Sequence, residues 1–247
     1  MIIYIIIILI LTKIFISFNN IHPFLCFFNG ILMHHCKNGP YFSEEEKLKL
    51  FPISIELESN TQNIKNDYIN YPKPLNTFNK MLPLFKVNNL SENDWKIIPL
   101  KTTGLIIHPN LQYFNSLKNI ISHPSIHNAF FSILEPNSKI PPHIGPYKGY
   151  LRYHLGIIIP EENGKKPSIK INNIPYFWKE GEGVLFDDMF VHSVVNPTNQ
   201  KRVVLFIDVI RPIDGIIGKI NEMVIWLMEK NPKIKEIQKI QHQSIKI

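Results

Sequence analysis

The chain has 247 residues, of which 45% are hydrophobic and 19% charged; that is enough apolar side chain for a buried core and excludes wholesale disorder. Its formal net charge is +7, yet it has no dense Lys/Arg stripe interleaved with aromatics, no zinc-finger spacing and no RNA-binding signature, so no nucleic-acid partner is expected. Two cysteines, Cys26 and Cys36, are too few for a disulfide framework and are read as free thiols.

Residues 1–18 (MIIYIIIILILTKIFISF) are apolar except for Thr12, Lys13 and Ser17. A helix of ~20 residues can span a bilayer. No positive region precedes the run and no small-residue cleavage site follows it, which disfavours a cleaved signal peptide. Residues 1–20 are therefore expected to form a single-pass membrane anchor, with Lys13 and Lys37 favouring a cytoplasmic body; the alternative is a buried apolar N-terminus of a cytoplasmic protein.

Residues 21–50 are read as a linker. Its first half is apolar but interrupted by Pro23 and Asn29, and its second half is polar, with Ser43 and Glu46 spaced as a capping box. Residues 51–95 mix short apolar patches with Asn, Pro and Lys, as helix and loop do. Residues 114–121 have helical spacing and end before the His123-Pro124 turn.

From residue 129 the pattern changes to short strands and tight turns. Strands are expected at 129–134, 149–160, 168–172, 176–178, 184–186, 192–195 and 202–210, separated by Asn163-Gly164, the glycines between 181 and 183, and Asn196-Pro197. Strands so closely spaced indicate a mainly β sandwich or barrel, and the turns are too short for the crossover helices of a parallel sheet. After Arg211-Pro212, Ile217, Ile220, Val224, Leu227 and Met228 form a helical stripe. Residues 216–247 are thus read as a basic C-terminal helix and frayed tail, leaving residues 51–215 as the functional domain.

Reactive side chains concentrate in the β region. His143 follows Pro141-Pro142, and His192 begins a strand. Two neutral imidazoles suit a non-haem iron site with open positions, although the place where such sites often carry a carboxylate is Gly145. Arg152 and His154 are two apart in a strand and share a face. Buried without partners they would be expensive, and an anionic ligand would supply partners. Arg202 opens another strand, and its guanidinium can grip a carboxylate at any working pH.

The stretches IPPHIGPYKGYLRYHLGIIIP, WKEGEGVLFDDMFVHSVVN and KRVVLFIDVIRP together resemble the aspartyl/asparaginyl β-hydroxylase family, including its lipid A hydroxylase members, over residues 125–212, with a decaying likeness back to residue 51. The resemblance implies a double-stranded β-helix of the jelly-roll, cupin-like type with flanking N- and C-terminal helices. It implies an enzyme using Fe(II), 2-oxoglutarate and O2, with His143 and His192 as iron ligands. Gly145 agrees with the family, which lacks the ligating carboxylate. Arg202 is expected on the distal carboxylate of 2-oxoglutarate, with Ser132, Arg152 and His154 completing the cosubstrate site. Asp188 is the suggested catalytic residue, orienting an iron-bound water; a turn-capping role for Asp187 or Asp188 is the competing reading. The implied reaction is hydroxylation of an unactivated C–H bond of Asp/Asn in a protein or of a lipid acyl chain, with membrane association. The chain lacks the long helical-repeat region of the animal Asp/Asn hydroxylases, which puts EGF-like domains in doubt as substrates. Other readings are a halogenase using the Gly145 gap, a zinc hydrolase, and a degenerate, non-catalytic ligand-binding β-barrel at a membrane.

Overall fold

The computed structural model describes residues 21–243. Four helices lead the chain: α1 (Ile21–His35), α2 (Glu44–Leu50), α3 (Ser54–Ser59) and α4 (Thr61–Ile69). A seven-stranded antiparallel sheet contains β1 (Asn76–Thr77), β2 (Trp95–Thr102), β3 (Leu105–Ile106), β4 (Ile126–Leu134), β6 (Tyr150–Ile158), β9 (Gly183–Phe186) and β11 (Arg202–Ile210). Its order is β1-β2-β4-β11-β6-β9, with β3 beside β2. A four-stranded sheet runs β5-β10-β7-β8, from β5 (Ser138–His143), β10 (His192–Asn196), β7 (Ser168–Ile171) and β8 (Ile174–Phe177). The fold is a double-stranded β-helix of the jelly-roll, cupin-like type, flanked at both ends by helices.

Strand alternation divides the large sheet into two faces. On β11, Val203, Leu205, Ile207 and Val209 pack into an outer core with Phe51, Leu57 and Ile64 of the N-terminal segment. Arg202, Val204, Phe206 and Asp208 alternate with them on the inner face. There, Val204 and Phe206 share a core with Ile140, Ile169 and Val194 of the small sheet. The β7–β8 hairpin turns at Asn172 and Asn173, both with positive φ, as a two-residue type I′ turn requires; Asn172 therefore belongs to the turn and not to the strand.

Residues 21–50, expected as a linker, contain α1 and α2. Ser43 caps α2 as its spacing suggested: its Oγ accepts from the Glu46 N–H, and its own N–H donates to Glu46 Oε2. The C-terminal segment forms α8 (Gly215–Lys230) and α9 (Pro232–Gln243) after three one-turn helices, α5 (Phe78–Met81), α6 (His108–Leu111) and α7 (Lys118–Ile121). The buried face of α8 runs through Gly218, Asn221, Val224, Ile225 and Met228, one position away from the expected stripe at several points. The Lys-rich end is helical because Ile234 and Ile237 of α9 are buried.

The expected membrane anchor and membrane localisation require correction. Among the described residues, no helix is long and apolar enough to cross a membrane. The apolar α1 has 15 residues, about 22 Å at its rise per residue, against a hydrocarbon core of ~30 Å. Its Phe24, Leu25, Phe28 and Leu32 are spent on the protein interior instead. Residues 1–20, on which the expectation rested, lie outside the described residues.

Candidate active site

His143 ends β5, His192 begins β10, and the two are direct partners across the strand pair. Their ring centroids are 4.1 Å apart. His143 Nδ1 lies 2.7 Å from the Pro141 carbonyl and His192 Nδ1 lies 3.0 Å from the Phe190 carbonyl. A carbonyl only accepts, so each Nδ1 carries the proton and each Nε2 keeps its lone pair. Burial holds both rings below the usual imidazole range, His192 to about 3 with help from His143 and Arg152. The result is a pair of neutral imidazoles with their tautomers fixed by the backbone, the state a metal ligand needs. Among the described residues, no group of three or more His, Cys, Asp or Glu is arranged to hold a metal ion; the donor set is two imidazoles.

Beside them, the Gly145 N–H donates to the Asp188 carbonyl at 2.7 Å. The Asp188 carboxylate then lies where a side chain at 145 would begin. It ion-pairs with Arg152 Nη1 at 2.7 Å. Burial pushes its pKa up to about 6; Arg152 opposes that rise, while Asp208 and Asp187 add to it. Arg152 also donates through Nε and Nη2 to Asp208 Oδ1, at 3.1 and 3.0 Å. Asp208 in turn accepts from Asn128 Nδ2 at 2.9 Å. Arg152, expected in the cosubstrate site, is thus engaged by two carboxylates on a polar row across the inner face.

Asp187, the other candidate for the turn, accepts the Met189 N–H at 3.0 Å, and its second oxygen accepts from Lys148, Arg211 and Asn38. It fixes the bend that carries Asp188 and His192.

Deeper in the barrel, Arg202 is 1% exposed. Its Nη1 donates to the carbonyl and Oγ of Ser132, both at 3.3 Å, and its guanidinium lies 4.9 Å over the Trp178 ring. Burial alone lowers its pKa to about 9. No carboxylate of the described residues pairs with it, and its Nε has no hydrogen-bond partner. His154 sits 5.9 Å from Trp178 and 5.2 Å from Phe206, ring to ring. Both His154 nitrogens and Trp178 Nε1 also lack partners. Burial, then Arg152 and Arg202, holds His154 neutral. Buried polar groups are normally satisfied, and an unpaired buried cation costs several kcal/mol (about 3–5). Such a cluster fits an anionic guest. Ser132, His154 and Arg202 are therefore brought together, some distance along the strands from His143 and His192, with Phe186 between (6.4 Å from His192, 4.9 Å from His154).

Sequence reasoning missed Trp178 and Trp95, whose Nε1 donates to Ser132 Oγ at 2.9 Å. It also missed Asn128. The available signal was a polar residue interrupting an apolar strand, as Asn128 does in IHNAFFSIL.

The sequence profile described as aspartyl/asparaginyl beta-hydroxylase matches residues 58–212. The chain belongs to this family. An ornithine lipid ester-linked acyl 2-hydroxylase of Rhizobium tropici is 36% identical over 147 residues, 59% of this chain and 52% of that protein. The human aspartate beta-hydroxylase domain-containing protein 2 is 29% identical over 184 residues, 70% of this chain and 47% of that one. This hydroxylase-family chain spans about half the length of these relatives. An oxidoreductase of the 2OG-Fe(II) oxygenase family from Burkholderia pseudomallei superposes with a TM-score of 0.41 and 12% identity, over 60% of this chain and 76% of that chain. The family match reaches back to residue 58, close to the residue 51 to which the likeness was expected to decay.

Proposed function

We propose that this hydroxylase-family chain is an Fe(II)- and 2-oxoglutarate-dependent dioxygenase acting on an unactivated C–H bond of a protein Asp/Asn side chain or a lipid acyl chain. The observation that carries the reading is Arg202: a guanidinium sealed in the barrel without a carboxylate, next to further unpartnered donors on Trp178 and His154. A dicarboxylate would satisfy them.

His143 and His192 would hold the metal through their Nε2 atoms. Arg202 and Ser132 would bind the far carboxylate of 2-oxoglutarate, while Trp178 and His154 line its place. Fe(II) with 2-oxoglutarate and O2 would supply oxidation of a C–H bond coupled to decarboxylation to succinate and CO2, chemistry no side chain provides. Asp188, raised to about 6, can hold or release a proton near neutrality beside the two imidazoles, and Arg152 fixes its orientation. Phe186 and Phe206 keep the cosubstrate end dry.

The test is calorimetric titration of 2-oxoglutarate into anaerobic, Mn(II)-loaded protein, followed by turnover to succinate with Fe(II). Saturable binding that Arg202→Met removes is expected. Wild-type protein that binds no 2-oxoglutarate, or a variant that binds it equally well, overturns the reading.

A further inference from the structure

The outer face of the small sheet carries a groove of about 460 Å³ that crosses all four strands. Ile140, Ile169 and Val194 point inward to the core, so strand alternation turns Lys139, Ser168, Lys170, Ser193 and Val195 outward. Lys139 lies opposite Val195, and Val195 opposite Ser168. Lys170 lies opposite Ser193, one step of the alternation further on. With neighbouring strands ~4.8 Å apart and ~3.4 Å per residue, the two lysine Cα atoms are about 12 Å apart on a diagonal. Two four-carbon stems can close that gap from either end. Asn89 completes the polar lining from the loop before β2. Among the described residues no carboxylate lines the groove. The side chains of Asn89, Lys139, Ser168, Lys170 and Ser193 have no hydrogen-bond or ion-pair partner there.

From this arrangement we propose that the groove binds a phosphate monoester group. Its two ammonium groups match the charge of about −1.5 to −2 that such a group carries at neutral pH. The two serine hydroxyls and the Asn89 amide supply neutral donors for the remaining phosphate oxygens. A carboxylate, planar and with two oxygens, is the natural target of an arginine fork, and no arginine lines the groove. Lysine binds phosphate as a point charge, which suits an open groove on a sheet surface. The groove adjoins a larger cavity of about 1100 Å³ that opens beside His143 between the barrel and α1, and Asn89, Pro141 and Pro142 line both. A molecule held by its phosphate on the sheet exterior therefore has a path past Pro142 to the end of β5, where His143 stands. The inference is independent of the dioxygenase reading: it concerns what the groove holds, not what the histidines do, and the site lies outside the barrel that encloses Arg202.

The test titrates glycerol 3-phosphate, inorganic phosphate and acetate into the metal-free full chain at low ionic strength, where exposed charges are least screened. Co-sedimentation with phosphatidic acid and phosphatidylcholine vesicles runs beside it. Expected is saturable binding of at least one phosphate-bearing probe, weaker binding of acetate, and a loss of about tenfold or more in Lys139→Ala/Lys170→Ala. Both lysines are exposed, so the double variant should fold as wild type does. Lys166→Ala/Lys179→Ala removes the same charge from ion pairs outside the groove and should leave binding unchanged. Binding of the soluble ester alone assigns the groove to a free phosphate compound. Capture by phosphatidic acid over phosphatidylcholine, lost in Lys139→Ala/Lys170→Ala, assigns it to a lipid headgroup; either result supports the site. Four results overturn it: no binding of any phosphate-bearing probe, acetate binding as tight as phosphate, a Lys139→Ala/Lys170→Ala variant that binds like wild type, or an equal loss in the control pair. A loss caused by Arg202→Met instead would put the anion inside the barrel and also overturn it. Titrating 2-oxoglutarate in parallel separates the two readings. Phosphate binding without 2-oxoglutarate binding sinks the dioxygenase reading alone, and the converse sinks this one alone.

Discussion

A Cβ placed on Gly145 would fall 1.9 Å from Asp188 Oδ2. The carboxylate of one residue thus occupies the space into which the other would grow a side chain, next to the paired histidines. Gly145→Asp should therefore not add a third metal ligand; it should expel Asp188 from its ion pair with Arg152. We expect a loss of stability of about 1–3 kcal/mol, typical of overpacking, together with loss of turnover. The double variant Gly145→Asp/Asp188→Gly should recover most of the stability. Urea unfolding of the three proteins measures this, and a fully stable Gly145→Asp would contradict it.

Arg202→Met separates binding from folding. The guanidinium is buried without a counter-charge, and replacing a buried charge by an apolar side chain of similar size is often neutral or stabilising by about 1–4 kcal/mol. Ligand-free Arg202→Met should be as stable as wild type or more so in thermal unfolding, yet show no 2-oxoglutarate-dependent rise in Tm. A strongly destabilised variant would mean that the arginine serves the fold.

Asp187 should dominate the acid sensitivity of the fold. Burial by itself would raise its carboxyl, but Arg211, Lys148 and Asn38 outweigh that and hold it below its ordinary value of 3.8. A carboxyl whose folded pKa is depressed contributes stability above its unfolded pKa and loses it as pH falls through the folded one. Asp187→Asn leaves Lys148 and Arg211 uncompensated and should cost about 3–5 kcal/mol near neutrality. The gap to wild type should narrow as pH falls below 3.8. Denaturation curves across the acid range test this; a pH-independent gap would sink it.

His192→Ala should abolish metal uptake and any one-oxygen mass gain in candidate substrates while leaving the fold intact, because the ring's polar partners are backbone carbonyls of its own bend, Phe190 foremost. Elemental analysis, circular dichroism and mass spectrometry report the three parts. Retained stoichiometric metal would remove this residue from the donor set.

The mainly β architecture was readable from strand alternation and closely spaced turns, whereas His143, His192 and Arg202 were singled out by the motifs that resemble the family, since two histidines so far apart in the chain carry little signal by spacing alone. The partners of Arg152 were not readable. Asp208 is 56 residues away, and only sheet order makes them neighbours. Trp178 gave no signal because an isolated tryptophan before a glycine-rich turn reads as ordinary core. The N-terminal error has a different origin. Hydrophobicity measures a preference for leaving water, and it cannot tell whether lipid or protein receives the side chain. The anchor expectation rested on residues 1–20, outside the described residues; in the adjoining apolar α1, expected as a linker, the receiver is protein, through Phe24, Leu25, Phe28 and Leu32. The Lys-rich tail misled in the opposite sense, since Ile234 and Ile237, three residues apart, suffice to dock α9.

Asn38 sits between α1 and α2, outside residues 58–212, yet it reaches Lys148, Asp187 and Arg211 at once. Two backbone bonds nearby, from Asp187 to Pro40 and from Phe42 to Leu185, fasten the same segment to β9 and the bend after it. A fragment cut at the family boundary would therefore lose a clasp on the bend that carries Asp188 and His192, as well as the part of α1 that lines the cavity beside His143. Exchanging the leader before residue 58 between relatives becomes a way to retune what a shared barrel accepts.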